Sequence, residues 1–205
     1  MTLNNNEARE KLVKELLRLS ESAITFHTKM TGNADAPESF IRDFVAIKLF
    51  KKMKLRSSIE VKGADFKSYI VEEESKGKFE EDRQSDEKLK RFKLDLFVWS
   101  NPPYPSAILE WKKGQTQDLE KDIKRTSRLL TFCHQATIGY EIVALISDQG
   151  QIPENLRNMI AHLQEQKLCG EIIARPPVRI PDAQNNDWCT TFAIPVLRAD
   201  HGLPP

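Results

Sequence analysis

The stretch 91-RFKLDLFVWSNPPYPSAILEWKKG-114 consists of two apolar runs joined by a proline-rich turn. Each run carries one acid among its hydrophobic residues, Asp95 in the first and Glu110 in the second, and Lys112 follows two positions after Glu110. Apolar runs of this length on either side of a turn are typical of a β-hairpin. We therefore predict strands over about 92–99 and 106–112, joined around Asn101–Tyr104.

The hairpin register predicts which side chains share a face. Pairing Val98 with Ala107 also pairs Asp95 with Glu110, with Cβ atoms roughly 5 Å apart. Because side chains alternate along a strand, Lys112 lies on the face of Glu110. Three large apolar residues share this face: Phe97, Trp99 and Ile108. The opposite face is apolar and carries Leu94, Leu96, Val98, Ala107, Leu109 and Trp111.

Two opposed carboxylates repel each other unless something cationic lies between them. A hard divalent cation such as Mg²⁺ binds a few carboxylate oxygens together with water. It lowers the pKa of a bound water and neutralises charge that builds on a phosphate. Lys112 beside it can hold or deprotonate the water, or stabilise the charge of the transition state. Asp95, Glu110 and Lys112 therefore form a candidate site for metal-assisted phosphodiester hydrolysis.

The same residues resemble a known family. Asp95, followed by Glu110-Trp111-Lys112 on a strand, a turn and a second strand before a helix, is similar to the motif of the PD-(D/E)xK nuclease superfamily. The run KLDLFVW…AILEWKK looks most like the nuclease domains of restriction systems, and the resemblance covers residues 36–147. One difference is Leu94, which stands where the family has a proline.

The resemblance implies a restriction-endonuclease-like core that hydrolyses phosphodiester bonds in DNA with Mg²⁺, for which Mn²⁺ can substitute. It implies that Asp95 and Glu110 bind the metal, with the backbone carbonyl of Trp111 as a further ligand. Lys112 would be the catalytic lysine. The family often adds an acid from the helix before the sheet, and Glu38 is the best-placed candidate; alternatively, Glu38 forms a capping box with Asp35.

The three-residue pattern of an acid, any residue and a lysine also occurs elsewhere in the chain. The other triplets are Glu60-Val-Lys62, Asp65-Phe-Lys67, Glu74-Ser-Lys76, Asp86-Glu-Lys88, Asp122-Ile-Lys124 and Glu165-Gln-Lys167. Among these acids only Glu60, in SIEVKG, lies in an apolar strand-like run as Glu110 does. No acid-bearing strand precedes the run of Glu60. We therefore favour Glu110. A structural alternative remains, in which Asp95 and Glu110 lie on a solvent-exposed face and pair with Lys93, Lys112 and Lys113.

Basic residues recur on the segment after the hairpin. Four cations lie at i, i+3, i+4 and i+7 of a predicted helix over 116–134: Lys121, Lys124, Arg125 and Arg128. They are candidates for contacts with DNA phosphates. Gln115 and Gln117, just after the lysine, are candidates for contacts with the metal-bound water or the nucleic-acid backbone. Alternatively the stripe is a solvated face, balanced by Glu120 and Asp122.

The composition is that of an ordinary globular protein. The chain has 205 residues, 40% of them hydrophobic and 30% charged, with a net charge of +1, so any nucleic-acid site must come from local clustering. The three cysteines are scattered, which favours a reducing, cytoplasmic location over a disulfide framework. Neither the N-terminus, MTLNNNEAREKL, nor any apolar run predicts a signal peptide or a membrane span.

The remaining chain predicts an α/β fold with a central mixed β-sheet flanked by helices. Helices are predicted over 5–26, 36–54, 116–134 and 153–167, and strands over 57–62, 66–73, 140–147, 170–174 and 189–197. The stretch 72-EEESKGKFEEDRQSDEKLKR-91 is almost entirely charged, and we expect a solvated loop. We expect one nuclease-like domain over 1–205: an N-terminal helix within 1–30, a core over 36–147, and a sheet extension over 148–205.

These expectations combine into a Mg²⁺-dependent, PD-(D/E)xK-type endonuclease of a restriction, defence or repair system. The protein would act alone or with a partner subunit. A homodimer is also expected, because cutting both strands of DNA usually needs two such sites. The first alternative is a non-catalytic member of the same fold that binds nucleic acid or protein. The second is an unrelated structural or interaction protein with a charged hairpin face.

Overall fold

The computed structural model describes residues 6–53, 55–99, 107–113, 116–134, 137–181, 183 and 187–199. The α-helices in these residues are α1 (Asn6–Thr31), α2 (Glu38–Met53), α3 (Gly63–Phe66), α4 (Glu73–Ser85), α5 (Glu87–Arg91), α6 (Thr116–Phe132) and α7 (Glu154–Glu165). The strands are β1 (Arg56–Lys62), β2 (Lys93–Trp99), β3 (Ala107–Lys113), β4 (Ile138–Ser147), β5 (Ile173–Ala174), β6 (Val178–Arg179) and β7 (Trp188–Val196).

The strands form one mixed sheet in the order β1-β2-β3-β4-β7-β5, and β6 also pairs with β7. β3 and β4 run parallel and are connected through α6, as a parallel pair requires a crossover. All the other described pairings are antiparallel. The predicted α/β class, with a mixed sheet flanked by helices, is confirmed. β7 comes from the C-terminal segment that was expected to extend the sheet, and it lies beside β4.

Helices cover both faces of the sheet and form two apolar layers. In the first layer, α1 packs mainly on β7 and β4 and α2 packs on β1, β2 and β3, and the buried residues include Leu16, Val45 and Trp111. In the second layer, helices α3 to α7 pack on the other face, where Phe97 and Ile108 are buried. The helices explain why β3 and β4 are apolar on both faces rather than alternating, which is usual for buried parallel strands. No helix among the described residues is long and apolar enough to cross a membrane.

The predicted hairpin register is confirmed for three pairs, but the predicted pair Asp95–Glu110 is not among the described pairs of the ladder. Val98 pairs with Ala107, Phe97 with Ile108 and Leu96 with Leu109. The predicted face of Leu94 is wrong, because Leu94 packs in the second layer with Phe97 while Leu96 packs in the first. The alternation is therefore interrupted between Leu94 and Leu96, at Asp95. The predicted turn at 101–104 and the side chain of Trp99 lie outside the described residues.

The prediction of a solvated loop over 72–91 is wrong, because these residues form helices α4 and α5. Phe79 anchors α4 in the second layer, where it is fully buried and its ring lies 5.1 Å from that of Phe66 and 5.3 Å from that of Phe132. Ion pairs one turn apart, such as Lys76–Glu73 and Lys78–Glu74, line the exposed side of the helix. Such pairs stabilise a helix individually by only about 0.3 kcal/mol, so the burial of Phe79 is the larger effect.

The prediction of a strand over 66–73 is also wrong. The chain turns at Gly63, where a Cβ would lie 2.5 Å from the carbonyl oxygen of Leu89, and α3 and a 3-10 turn at Lys67–Tyr69 follow. Phe66 and Tyr69 then pack against Phe97, with ring centroids 5.5 and 4.9 Å apart. Aromatic packing on the sheet thus overrides the local strand pattern.

Candidate active site

Asp95 lies on β2 where the ladder between β2 and β3 ends. The last described pair of that ladder is Leu96–Leu109, one position before Asp95 and Glu110. Asp95 contacts β3 through its side chain, because its Oδ2 accepts a hydrogen bond from the backbone N–H of Trp111 at 2.8 Å. Its Oδ1 lies 3.6 Å from Nη1 of Arg42, which is buried on α2. The carboxylate is therefore held between β3 and α2.

Glu110 is buried on β3 and faces α6. Its Oε1 accepts a hydrogen bond from Nη2 of Arg125 at 2.9 Å. Arg125 also contacts Asp122, one turn earlier on α6, through Nη1 at 2.8 Å from Oδ1. One guanidinium therefore contacts two buried carboxylates, Glu110 and Asp122.

Lys112 lies on the same face as Glu110, as predicted, and also contacts α6. Its Nζ is 2.7 Å from Oδ2 of Asp122. Burial disfavours the charged ammonium, but the hydrogen bond and charge of Asp122 outweigh it, and the charges of Glu38 and Glu110 add to the effect. The pKa of Lys112 is therefore raised, and its amine is protonated at neutral pH. Glu38, the first residue of α2, is thus within electrostatic reach of the site.

Glu141 is a further acid of the site, and the sequence analysis did not identify it. It lies on β4 directly beside Glu110 in the parallel register and is completely buried. Its Oε1 accepts a hydrogen bond from the hydroxyl of Thr126 at 3.0 Å. Its Oε2 has no hydrogen-bond partner among the described residues. The structure thus surrounds Glu110 with two more carboxylates, those of Glu141 and Asp122.

Burial and mutual repulsion change the proton affinities of this cluster. Burial raises the pKa of Glu110 well above its ordinary value, and the charges of Glu141, Asp95 and Asp122 raise it further, against the effect of Arg125. Burial also raises the pKa of Glu141 to about 8, with Asp122 adding to the shift. The cluster thus places three buried acids, Glu110, Asp122 and Glu141, beside two cations, Lys112 and Arg125, and burial favours the neutral form of Glu110 and Glu141.

Each of the three predicted site residues has a partner from the chain itself. Asp95 contacts Arg42, Glu110 contacts Arg125, and Lys112 contacts Asp122. In the part of the chain that the structure describes, no group of three or more His, Cys, Asp and Glu side chains is arranged to hold a metal ion. The metal ligands, including the Trp111 carbonyl and Glu38, stay predictions.

The predicted phosphate-binding residues on α6 are all paired with acids. Lys121 and Lys124 are exposed and contact Asp118 and Glu120 at 3.2 and 2.7 Å. Arg128 connects α6 to α4 through contacts with Asp82 and Asp86 at 2.8 and 2.7 Å. Arg125 differs from these three, because it turns inwards to Glu110. Lys121 and Lys124 therefore remain the candidates for DNA contacts, while Gln115 lies outside the described residues.

The overlooked residues had signals in the sequence. Glu141 is an acid in the apolar run YEIVALIS, which is the pattern that identifies Asp95 and Glu110. Asp122 is interpreted above only as an acid that balances the basic stripe, although it lies three positions after Leu119 and four before Thr126, on one face of the helix. Comparison with known proteins adds nothing to these residues, since neither models of protein families, nor curated proteins, nor solved structures gave a match to this chain.

Proposed function

We propose that this chain is a Mg²⁺-dependent nuclease that hydrolyses phosphodiester bonds in DNA, built on a restriction-endonuclease-like core. The element order supports the core in part, since a helix, a strand, a hairpin, a helix and a strand follow one another as α2, β1, β2–β3, α6 and β4. Helices α3, α4 and α5 lie between β1 and the hairpin, where the resemblance led us to expect a second strand. The antiparallel β2–β3 pair, with Asp95 and Glu110 on adjacent strands, supports the location of the site.

The observation that carries the proposal is the excess of buried carboxylates around Glu110. Three buried acids, Glu110, Asp122 and Glu141, are served within the described residues by two cations, Lys112 and Arg125. Burying unpaired acid costs several kcal/mol, so stability alone does not favour such a cluster. Carboxylate oxygens are the donors that Mg²⁺ binds, and the residues present therefore fit a divalent cation in their chemistry.

In this proposal Asp95, Glu110 and the backbone carbonyl of Trp111 hold the metal, with Glu38 as a further candidate. The bound metal would supply an activated water and neutralise charge on the phosphate. Asp122 holds the Lys112 ammonium in its charged form, because it raises the pKa of Lys112 against the effect of burial. Lys112 is therefore suited to stabilising negative charge on the phosphate rather than to removing a proton from water.

A cleavage assay tests this proposal. Plasmid and single-stranded DNA are incubated with the protein and Mg²⁺ or Mn²⁺. We expect cleavage that falls at least ~100-fold in Lys112→Ala, because a charge-stabilising donor contributes on that scale. The matched control is Lys14→Ala, an exposed lysine on α1 outside the candidate site, which should cleave within a few-fold of the unmodified protein. Equal loss in both variants would contradict the role of Lys112.

Calorimetry with Mn²⁺ tests the metal separately. The unmodified protein should give a binding heat that Glu110→Gln abolishes. Glu120→Gln, a partly exposed carboxylate on α6, is the control and should keep the heat. A heat that Glu110→Gln leaves unchanged would show that the metal binds elsewhere.

The second candidate function is a non-catalytic member of the same fold that binds nucleic acid or protein. The ion pairs of Asp95, Glu110 and Lys112 with Arg42, Arg125 and Asp122 favour it, because a structural site has its charges paired in this way. This candidate predicts salt-dependent DNA binding through Lys121 and Lys124, without any Mn²⁺ heat or cleavage. Three further expectations stay predictions: the role in a restriction, defence or repair system, the cytoplasmic location, and the assembly as a homodimer or with a partner subunit.

A further inference from the structure

The backbone of β1 is irregular at Glu60, the residue nearest to Asp95 on the neighbouring strand. Glu60 has a φ of 52°, in the left-handed region that residues with a Cβ rarely adopt. The pairing of β1 with β2 includes Ile59–Leu96 and Val61–Leu94 and leaves out the position between them, where Glu60 and Asp95 would meet. The irregularity therefore occurs beside a residue of the candidate active site.

The irregularity coincides with the change of face in β2. Leu94 packs in the second layer and Leu96 in the first, so the regular alternation does not pass through Asp95. The register is the same on both sides of the gap, so the irregularity is one of backbone conformation, and residues held in such rarely populated conformations cluster at active sites. Here the change leaves the Asp95 carboxylate bonded to the backbone N–H of Trp111, on the strand that carries Glu110 and Lys112.

Arg42 connects Glu60 to Asp95. Its Nη1 lies 3.0 Å from Oε1 of Glu60 and 3.6 Å from Oδ1 of Asp95. Its Nε donates a hydrogen bond to Oδ1 of Asp43 at 2.8 Å, and its side chain is 8% exposed. Two acids outside the site thus fix the guanidinium that contacts Asp95.

Stability alone does not account for this arrangement. The side chain of Glu60 is 50% exposed, and ion pairs with an exposed partner contribute little to folding. A left-handed backbone at a non-glycine residue costs more than such a pair returns. A strained residue that is retained at a net cost is typical of functional sites.

We propose that Glu60 is a positioning residue for Asp95, acting through Arg42, and that the left-handed backbone of Glu60 serves this role. The inference rests on the proposed function, since it concerns the orientation of a predicted metal ligand. Glu60, the acid of the second strand-like triplet SIEVKG, thereby takes part in the site without touching metal or substrate.

Glu60→Gly in the full chain tests the inference, with Mn²⁺ as the probe in calorimetry. Glycine adopts a positive φ without strain, so the melting temperature should stay the same or rise by ~2 °C. The Mn²⁺ dissociation constant should nevertheless increase about tenfold, the scale on which residues that orient a metal ligand act. Glu60→Gln, which keeps the strained backbone and removes the charge, should weaken Mn²⁺ binding in the same direction.

The chain offers a matched control at Lys167, which has a φ of 57° just after α7. Lys167→Gly should relieve the same kind of strain and leave the Mn²⁺ dissociation constant unchanged. Unchanged Mn²⁺ binding in both Glu60 variants would overturn the inference and leave the proposed function intact. If the unmodified protein gives no Mn²⁺ binding heat, or gives a heat that Glu110→Gln leaves unchanged, the proposed function is overturned and the inference with it.

Discussion

Two groups of buried acid in this protein differ in how well they are paired. Glu21, on α1, has a side chain that is 9% exposed and carries a complete set of partners. Its two oxygens lie 2.9 and 3.1 Å from Nε of Arg175, and Oε1 also accepts a hydrogen bond from the hydroxyl of Thr191 at 2.7 Å. This group connects α1 to β7 and to the chain after β5, and its partners account for its burial.

The group around Glu110 and Glu141 lacks such a balance. Arg125 is shared between Glu110 and Asp122, and Oε2 of Glu141 has no hydrogen-bond partner within the described residues. Both groups are acids inside an α/β core, so burial alone does not distinguish a structural acid from a functional one. The difference is the supply of cations and donors, and the group with the deficit is the one for which we propose metal binding.

The largest expected effect would come from removing the charge of Glu21. Glu21→Gln removes the acid that neutralises Arg175 and should lower the free energy of unfolding by about 3 kcal/mol, measured by urea denaturation. Glu110→Gln is the contrasting variant and should cost less than ~1 kcal/mol, because burial already favours a neutral side chain there. Equal losses would remove the distinction between the two groups.

A smaller effect is expected from the pH dependence of Glu141. Its pKa rises from 4.5 to about 8 on folding, so between these values the folded protein holds a proton that the unfolded chain has released. The free energy of unfolding should therefore fall as the pH rises from 4.5 to about 8, by on the order of 1 kcal/mol per pH unit at most.

Glu141→Gln should flatten this decline and make the protein more stable than the unmodified one near pH 8. Denaturation at several pH values measures the change. Glu81→Gln, an exposed residue of α4, serves as the control and should keep the decline. If the free energy of unfolding still falls with rising pH in Glu141→Gln, another titrating group causes the decline.

The smallest effects are expected at the two threonines that bond these acids. Thr191→Val removes the hydroxyl donor of Glu21 and should cost about 2 kcal/mol, the usual value for a hydrogen bond to a charged group. Thr126→Val removes the donor of Glu141 and should cost about 1 kcal/mol at pH 5, where Glu141 is protonated. A larger loss in Thr126→Val than in Thr191→Val would mean that Glu141 is the better-paired acid.

Local patterns were sufficient for the hairpin and for most helices. The register of β2 and β3 follows from side-chain alternation, and Glu110 and Lys112 share the face that this alternation predicts. Alternation along β2 predicted the wrong face for Leu94. The irregular backbone at Glu60 lies on β1, the neighbouring strand, and the pattern of β2 carries no information about it. The local pattern failed again over 72–91, because one buried ring, Phe79, holds a charged segment against the sheet as a helix.

The order of residues alone is enough to predict the strand pair, the alternation that brings Glu110 and Lys112 to one face, and the acids that stand out in apolar runs. The partners of those acids become apparent only when the helices and strands pack together. Arg42, Arg125 and Glu141 come from α2, α6 and β4, and helix packing and the parallel β3–β4 register bring them to the site. Periodicity reports which face a side chain occupies, whereas charge balance depends on residues that are distant along the chain and meet only when the layers pack.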